Sequence, residues 1–326
     1  MLRKTELFWT ILLACCTACA AQEIIDPDVA KENADFHVQG EYLGEGILLE
    51  GDRDKVGAQV VALGNSEFSV TVFKGGLPGA GWQRDEPKFA MEGKTEEGVT
   101  KLSGRKLSGI IQDGTMVVTD PEGAERIRLT RTERKSPTLG AKTPEGALVL
   151  FNGGNADKWE GGHVTELDTL QAGTRVKESI GPNGRKLHIE FRTSWMPQAR
   201  GQKRSNSGVY VDGRYEVQVL DSFGLEGKQN ECGGIYGMDD PAVNMCFPPL
   251  TWQTYDIDFT PAKYENGNKT RNARITVSHN GVVIHDDLEM PGATPGNQPE
   301  GPEPGRLFLQ GHGNKVQYRN IWAVKE

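Results

Sequence analysis

The chain has 326 residues, a net charge of −8, 41 glycines and 17 prolines. That length can hold two domains, each with its own core. The acidic balance and the lack of a basic stripe argue against nucleic acid as a partner. Few stretches carry apolar residues at helical spacing, which leaves a mostly β chain.

The N-terminus reads as an export signal. Arg3 and Lys4 supply the positive start, residues 7–14 the apolar run, and Ala18-Cys19-Ala20 a small-residue cleavage site before Ala21. The run is too short to span a bilayer, and no later segment qualifies as transmembrane. The expected product starts near residue 22 and is periplasmic or extracellular. A competing reading takes Leu12-Leu13-Ala14-Cys15 as a lipoprotein box, with Cys15 carrying the lipid.

Residues 22–135 read as a small β-rich domain. Strands are expected at 35–43, 57–63, 67–73, 98–102, 107–112, 115–119 and 126–130, separated by turn residues. The glycine-rich loop at 74–82 lacks a Lys-Ser/Thr ending and a following helical pattern. It bends the chain rather than cradling a phosphate. No catalytic constellation stands out, so a structural or docking role is the expectation. Residues 136–144, with Pro137 and Gly140, have linker chemistry.

The second unit, 145–326, shows strand patterns at 187–193, 207–211, 215–220, 254–259, 273–279, 282–285, 305–310 and 316–324. Asn280-Gly281 is a two-residue hairpin signal between two of them. Short strands spaced by turns indicate a jelly-roll sandwich, so the whole chain is expected to be all-β. Cys232 and Cys246 are the cysteines left outside the signal. In an exported protein they read as one disulfide, closing a loop of roughly fifteen residues and stabilising by on the order of 3 kcal/mol. No zinc-ligand spacing accompanies them.

Polar residues recur with period two along several of these strands. In Tyr215-Glu216-Val217-Gln218-Val219-Leu220-Asp221, Glu216 and Gln218 share a face and Asp221 closes the strand. His188, Glu190 and Arg192 share a face, as do Gln310 and His312, and Arg319-Asn320 lies in the last strand. If these strands are neighbours in one sheet, their polar faces form a groove for a hydroxyl-rich ligand. Trp159, Trp195, Tyr236 and Trp252 are the available stacking platforms. His312, in a Gly-x-Gly setting, suits titration near neutral pH. The plainer reading makes Glu190 and Arg192 a wet-sheet pair and Asp221 a turn former.

A series of motifs carries a resemblance. Phe151-Asn152-Gly153 with Trp159, Asn206-Ser207-Gly208-Val209-Tyr210, the 215–221 segment, Cys232-Gly233-Gly234-Ile235-Tyr236-Gly237, Trp252-Gln253-Thr254-Tyr255, Leu309-Gln310-Gly311-His312-Gly313 and Tyr318-Arg319-Asn320-Ile321 occur in that order. Over about residues 145–326 the chain resembles the 3-keto-disaccharide hydrolase domain family, formerly a domain of unknown function. The resemblance implies a concanavalin-like jelly roll acting on glycosides oxidised to a ketone at sugar carbon three. Such a ketone acidifies the hydrogen at carbon two, so a base can remove it and the aglycone can leave. Water then adds to the enone.

The residues expected to act are Glu216 and His312 as base and acid with Asp221 beside them, and Arg192 or Gln310 near the developing oxyanion. Glu190, Gln218, Arg319, Asn320, Trp159 and Tyr236 would bind substrate. A divalent cation could be held by Glu216, Asp221 and His312, though no compact spacing fixes it. Two other functions fit the sequence. One is a laminarinase-type retaining β-glucanase, whose i, i+2, i+5 spacing Glu216, Gln218 and Asp221 share but whose residue types they break twice. The other is a non-catalytic carbohydrate-binding module.

Overall fold

The structure is a computed structural model that describes residues 22–48, 51–104 and 106–325. The expected export signal and Cys15 lie outside the described residues.

Eight antiparallel strands close into a barrel: β1 (Gly40–Gly46), β2 (Asp54–Gly64), β3 (Glu67–Lys74), β4 (Lys88–Glu96), β5 (Val99–Gly104), β6 (Leu107–Gln112), β7 (Thr115–Thr119) and β8 (Glu125–Thr132). Each pairs with the next in sequence, and β1 pairs with β8 to complete the circle. Alternation fills the interior. Phe68, Val70 and Val72 of β3 point into the same cluster as Val56, Val60, Met116 and Leu129. The strand expected from residue 35 starts late. Asn33 accepts the Asp35 N–H and caps a helical turn, Ala34–Val38, before β1 begins.

The second unit is a two-sheet sandwich. In chain order the strands of the two sheets are β9 (Leu148–Phe151), β10 (Trp159–Glu160), β11 (Leu170–Gln171), β12 (Thr174–Val176), β13 (Arg185–Arg192), β14 (Ser207–Val211), β15 (Tyr215–Val219), β16 (Gln253–Thr260), β17 (Ala273–His279), β18 (Val282–Met290), β19 (Phe308–Leu309) and β20 (Gln317–Lys325). The back sheet runs β9-β20-β13-β16-β17-β18, with β11 also on β20. The front sheet runs β10-β12-β19-β14-β15. Asn280 and Gly281 both take positive φ and make the expected tight hairpin between β17 and β18. Ile189 and Phe191 from the back sheet meet Val209, Val217 and Val219 from the front in one apolar core.

The segment read as a linker joins barrel to sandwich and is hydrogen-bonded along its length. Ser136 bonds Thr254 at 2.6 Å, Thr138 donates to Asp256 at 2.6 Å, and the Gly140 N–H donates to Glu190 at 2.6 Å. It therefore lies as a strap over the back sheet. Arg134, at the end of the barrel unit, bonds Glu41 at 2.7 Å and the Pro78 carbonyl at 2.8 Å and lies over the Phe247 ring of the sandwich, 5.0 Å from its centre.

The expected disulfide is corrected by the structure. Cys232 and Cys246 are free thiols, fully enclosed in the sandwich core. Each has its own polar neighbour: Cys232 Sγ lies 3.3 Å from the Tyr255 hydroxyl, and Cys246 Sγ lies 3.5 Å from the Leu220 carbonyl. The two thiols are neighbours in the core and interact by a hydrogen bond, but no disulfide joins them.

Candidate active site

The polar residues singled out in the sequence do not share one groove. β13 and β20 belong to the back sheet, whereas β14, β15 and β19 belong to the front sheet. On both sheets the alternate residues enter the common core, so Glu190 and Arg192 lie on the outer face of one sheet and Glu216 and Gln218 on the outer face of the other. Two polar surfaces result, on opposite sides of the sandwich.

Strand register builds the front surface. Gly208 pairs with Gln218, and Tyr210 with Glu216. The Gln310 N–H donates to the Gly208 carbonyl at 2.8 Å, which sets Gln310 on the other side of Gly208. Gln218, Gly208 and Gln310 thus form one row, and Glu216, Tyr210 and Phe308 the next. Gly208 leaves the row open, and the Glu216 carboxyl fills that opening: a β-carbon at Gly208 would collide with Glu216 Oε1. Around the rows, Gln218 Nε2 donates to Gln202 Oε1 at 3.3 Å, and Asn206 Nδ2 donates to the same oxygen at 2.9 Å. The Asn206 Oδ1 atom is buried without a hydrogen-bond partner among the described residues. Tyr236 is half-buried at the sheet edge, its N–H donating to the Glu216 carbonyl at 3.1 Å. Gln310 is half-buried and His312 exposed beyond the strand end, so the surface opens to solvent on that side.

Glu216 is the titratable group of interest here. It is 2 % exposed. Burial pushes its pKa up to about 7, against a smaller opposing pull from its hydrogen bond with Tyr210. The Tyr210 pKa is in turn raised well above the phenol range, first by burial and then by Glu216. The Tyr210 hydroxyl also reaches the Pro295 carbonyl at 3.0 Å. One phenolic proton cannot serve both acceptors, so donation to Pro295 leaves Tyr210 ready to accept from a protonated Glu216. That geometry suits a carboxyl that exchanges a proton near neutral pH.

Asp221, expected beside Glu216 in the chemistry, is instead a buried ion pair with Arg204 at 2.7 Å. Arg204 also donates to the Ala62 carbonyl at 3.2 Å, so the pair joins the front sheet to the barrel. Trp159 is a core residue whose indole N–H donates to the Leu150 carbonyl at 3.0 Å, and Trp195 is buried edge-on against Phe36. Neither offers a stacking face. The three residues considered for a cation do not form a ligand set, because Asp221 is committed to Arg204. No cluster of three or more His, Cys, Asp or Glu able to hold a metal occurs among the described residues.

On the back surface, Glu190 is saturated. It accepts from Arg319 Nε at 2.7 Å, Asn320 Nδ2 at 2.9 Å and the Gly140 N–H at 2.6 Å, and lies 3.5 Å from His188. Burial pushes its pKa up, but the bonds from His188, Asn320, Arg319 and Gly140 outweigh burial and hold it at about 2. A carboxylate held that low is a poor base. His188 is likewise opposed by burial yet raised to about 9 by Asp256, 2.6 Å away, and Glu190. Arg192, expected near an oxyanion with Glu216, instead donates to Gln317 at 2.6 Å and sits against Trp252. It is on the wrong side of the core for that role.

Sequence reasoning assigned no role to Gly208, Tyr210, Gln202 or Asn206. The signal for two of them was present: period two along residues 207–211 puts Gly208 and Tyr210 on the same side. Gln202 comes from a single 3-10 turn, Gly201–Lys203, and Asn206 from the residues before β14, where no periodicity points to them.

With this geometry the chain can be compared with known proteins. Residues 146–324, more than half of the chain, match the family described as a 3-keto-alpha-glucoside-1,2-lyase-like domain. The chain belongs to that family. Membership makes it a carbohydrate-active enzyme in class. Two solved structures from Parabacteroides distasonis, each described as a candidate glycosyl hydrolase, are similar to it. One shares 27% identity over 56% of this chain and 85% of its own, with a TM-score of 0.49. The other shares 17% identity over 56% of this chain and 95% of its own, with a TM-score of 0.37. No curated protein matches the chain.

Proposed function

We propose that the chain is an exported enzyme that cleaves 3-keto-glycosides at the front surface of its sandwich. Family membership supports the substrate class. The observation that carries the reading is Glu216, buried beside Tyr210 in the row next to Gln218 and Gln310, and with its pKa at about 7. Glu216 removes the proton at carbon two of the keto-sugar. The electron pair moves into the bond between carbons one and two, and the aglycone leaves with a proton from His312. Water then adds its hydroxyl at carbon one and returns a proton to carbon two, for net hydrolysis. The side-chain N–H groups of Gln218 and Gln310 bind the ketone oxygen, where negative charge develops. The barrel docks against the sandwich and supports it.

The test is direct. The protein is incubated with a chromogenic glucoside and with the same glucoside oxidised at carbon three. Release of the aglycone from the oxidised compound alone is expected. Release from the unoxidised compound instead would replace this reading with the β-glucanase type. Binding without release from either would favour a carbohydrate-binding module.

A further inference from the structure

The back surface carries a cavity of about 770 Å³ that the proposed reaction does not use. It is walled by the N-terminal turn at Asp26, the strap at residues 140–143, the loops at Gly153 and Asp168, and the sheet face at Glu190, Arg192, Arg319 and Asn320. Those strands lie across the apolar core from Glu216, so the cavity is separate from the front rows.

Its side chains are held in place and incompletely used. Arg319 is fixed by its Nε bond to Glu190 and by the Trp252 ring, 4.0 Å from its guanidinium. Its two terminal nitrogens are left to donate outward. Arg192 is 7 % exposed, fixed through Nε and Nη2 to Gln317, and lies 4.8 Å from the same ring. Acceptors face these donors. Asp168 uses Oδ1 for the Gly154 N–H, and Asp26 uses Oδ1 for the Asp28 N–H, which leaves the second oxygen of each.

The charge pattern selects the ligand. Asp26 and Asp168 oppose an anion, while Arg192, Arg319 and Lys142 oppose a cation; Asp28 is paired with Lys31. A neutral molecule whose hydroxyls each donate and accept satisfies both sets. The volume lies within the roughly 300–1,000 Å³ of ordinary ligand sites, enough for one or two sugar rings. We infer that this cavity is a second saccharide site, for a neutral mono- or disaccharide, that anchors the protein to glycan without taking part in cleavage. The inference does not depend on Glu216 being the base.

The test titrates the full chain with sucrose, maltose and cellobiose by calorimetry, and with glucuronate and glucosamine as charged counterparts. At least one neutral disaccharide should bind, and should bind the Glu216→Gln protein equally. Arg319→Ala, and Thr143→Trp placed on the exposed wall, should each weaken binding at least about tenfold. Thr143→Trp touches no buried polar group and keeps the test decisive if Arg319→Ala destabilises the fold. Absence of binding at millimolar concentration would overturn the inference. So would affinity unchanged by Thr143→Trp, or a preference for either charged sugar.

Discussion

The Glu216 carboxyl occupies the space that the missing side chain of Gly208 leaves open on the neighbouring strand. The relationship predicts an unusual substitution effect. In Gly208→Ala the new methyl comes within 3.0 Å of Oε1, Cδ and Cγ of the buried Glu216 side chain, so the variant should lose about 1–3 kcal/mol of stability. The carboxyl must swing aside, and misplacement of a catalytic group by about 1 Å costs roughly a hundredfold in rate. Turnover of a 3-keto-glucoside, measured beside a melting curve, checks both halves.

Glu216 also makes a prediction about stability and pH. Its pKa rises from the ordinary 4.5 to about 7 on folding, so the folded state binds the proton more tightly. Its favourable contribution is complete below about pH 4.5 and is lost as pH rises through about 7. Glu216→Gln removes that dependence. Relative to wild type the variant should gain stability between these pH values, by about 3 kcal/mol at most. Denaturant midpoints at pH 5 and pH 8 measure the difference; a gap that shrinks toward pH 8 would refute it.

His188, on the back sheet, shows a pH dependence of the same sign from a different cause. Its pKa is raised to about 9 by Asp256 and Glu190 despite burial, so the protonated ring stabilises the fold. That contribution is fully present below about pH 6.5 and disappears as pH rises through 9. His188→Gln should be less stable at pH 6 and lose less than wild type between pH 7 and 10. Thermal melts across that range test this.

Asp221 and Arg204 form a buried pair outside the proposed chemistry. Asp221→Asn leaves the Arg204 charge unpaired and should destabilise by about 3–5 kcal/mol. Where the variant is still folded, its kcat on a 3-keto-glucoside should stay within a few-fold of wild type. A large fall in kcat in fully folded protein would return Asp221 to the mechanism.

Much of the fold was legible because alternation and turn residues are local signals. The strands at 107–112, 115–119, 207–211 and 273–279 were read to the residue. Barrel closure was not, since it depends on β1 meeting β8 far along the chain. The site was half legible for a related reason. Period two tells which residues share a face of a strand, so Glu216 and Gln218 were grouped correctly. It does not tell which sheet a strand joins, so Glu190 and Arg319 were placed with them in error. Asp221 gave no sign of Arg204, because an ion pair between segments leaves no periodic trace.

The most direct measurement is aglycone release from a 3-keto-glucoside by the Glu216→Gln protein, with folding verified by its melting curve. Removing a general base that acts in the slow step should lower kcat roughly a hundredfold to ten-thousandfold. The wild-type rate should rise with a midpoint near pH 7, as the carboxyl loses its proton. A folded Glu216→Gln protein that turns over at the wild-type rate would contradict the account.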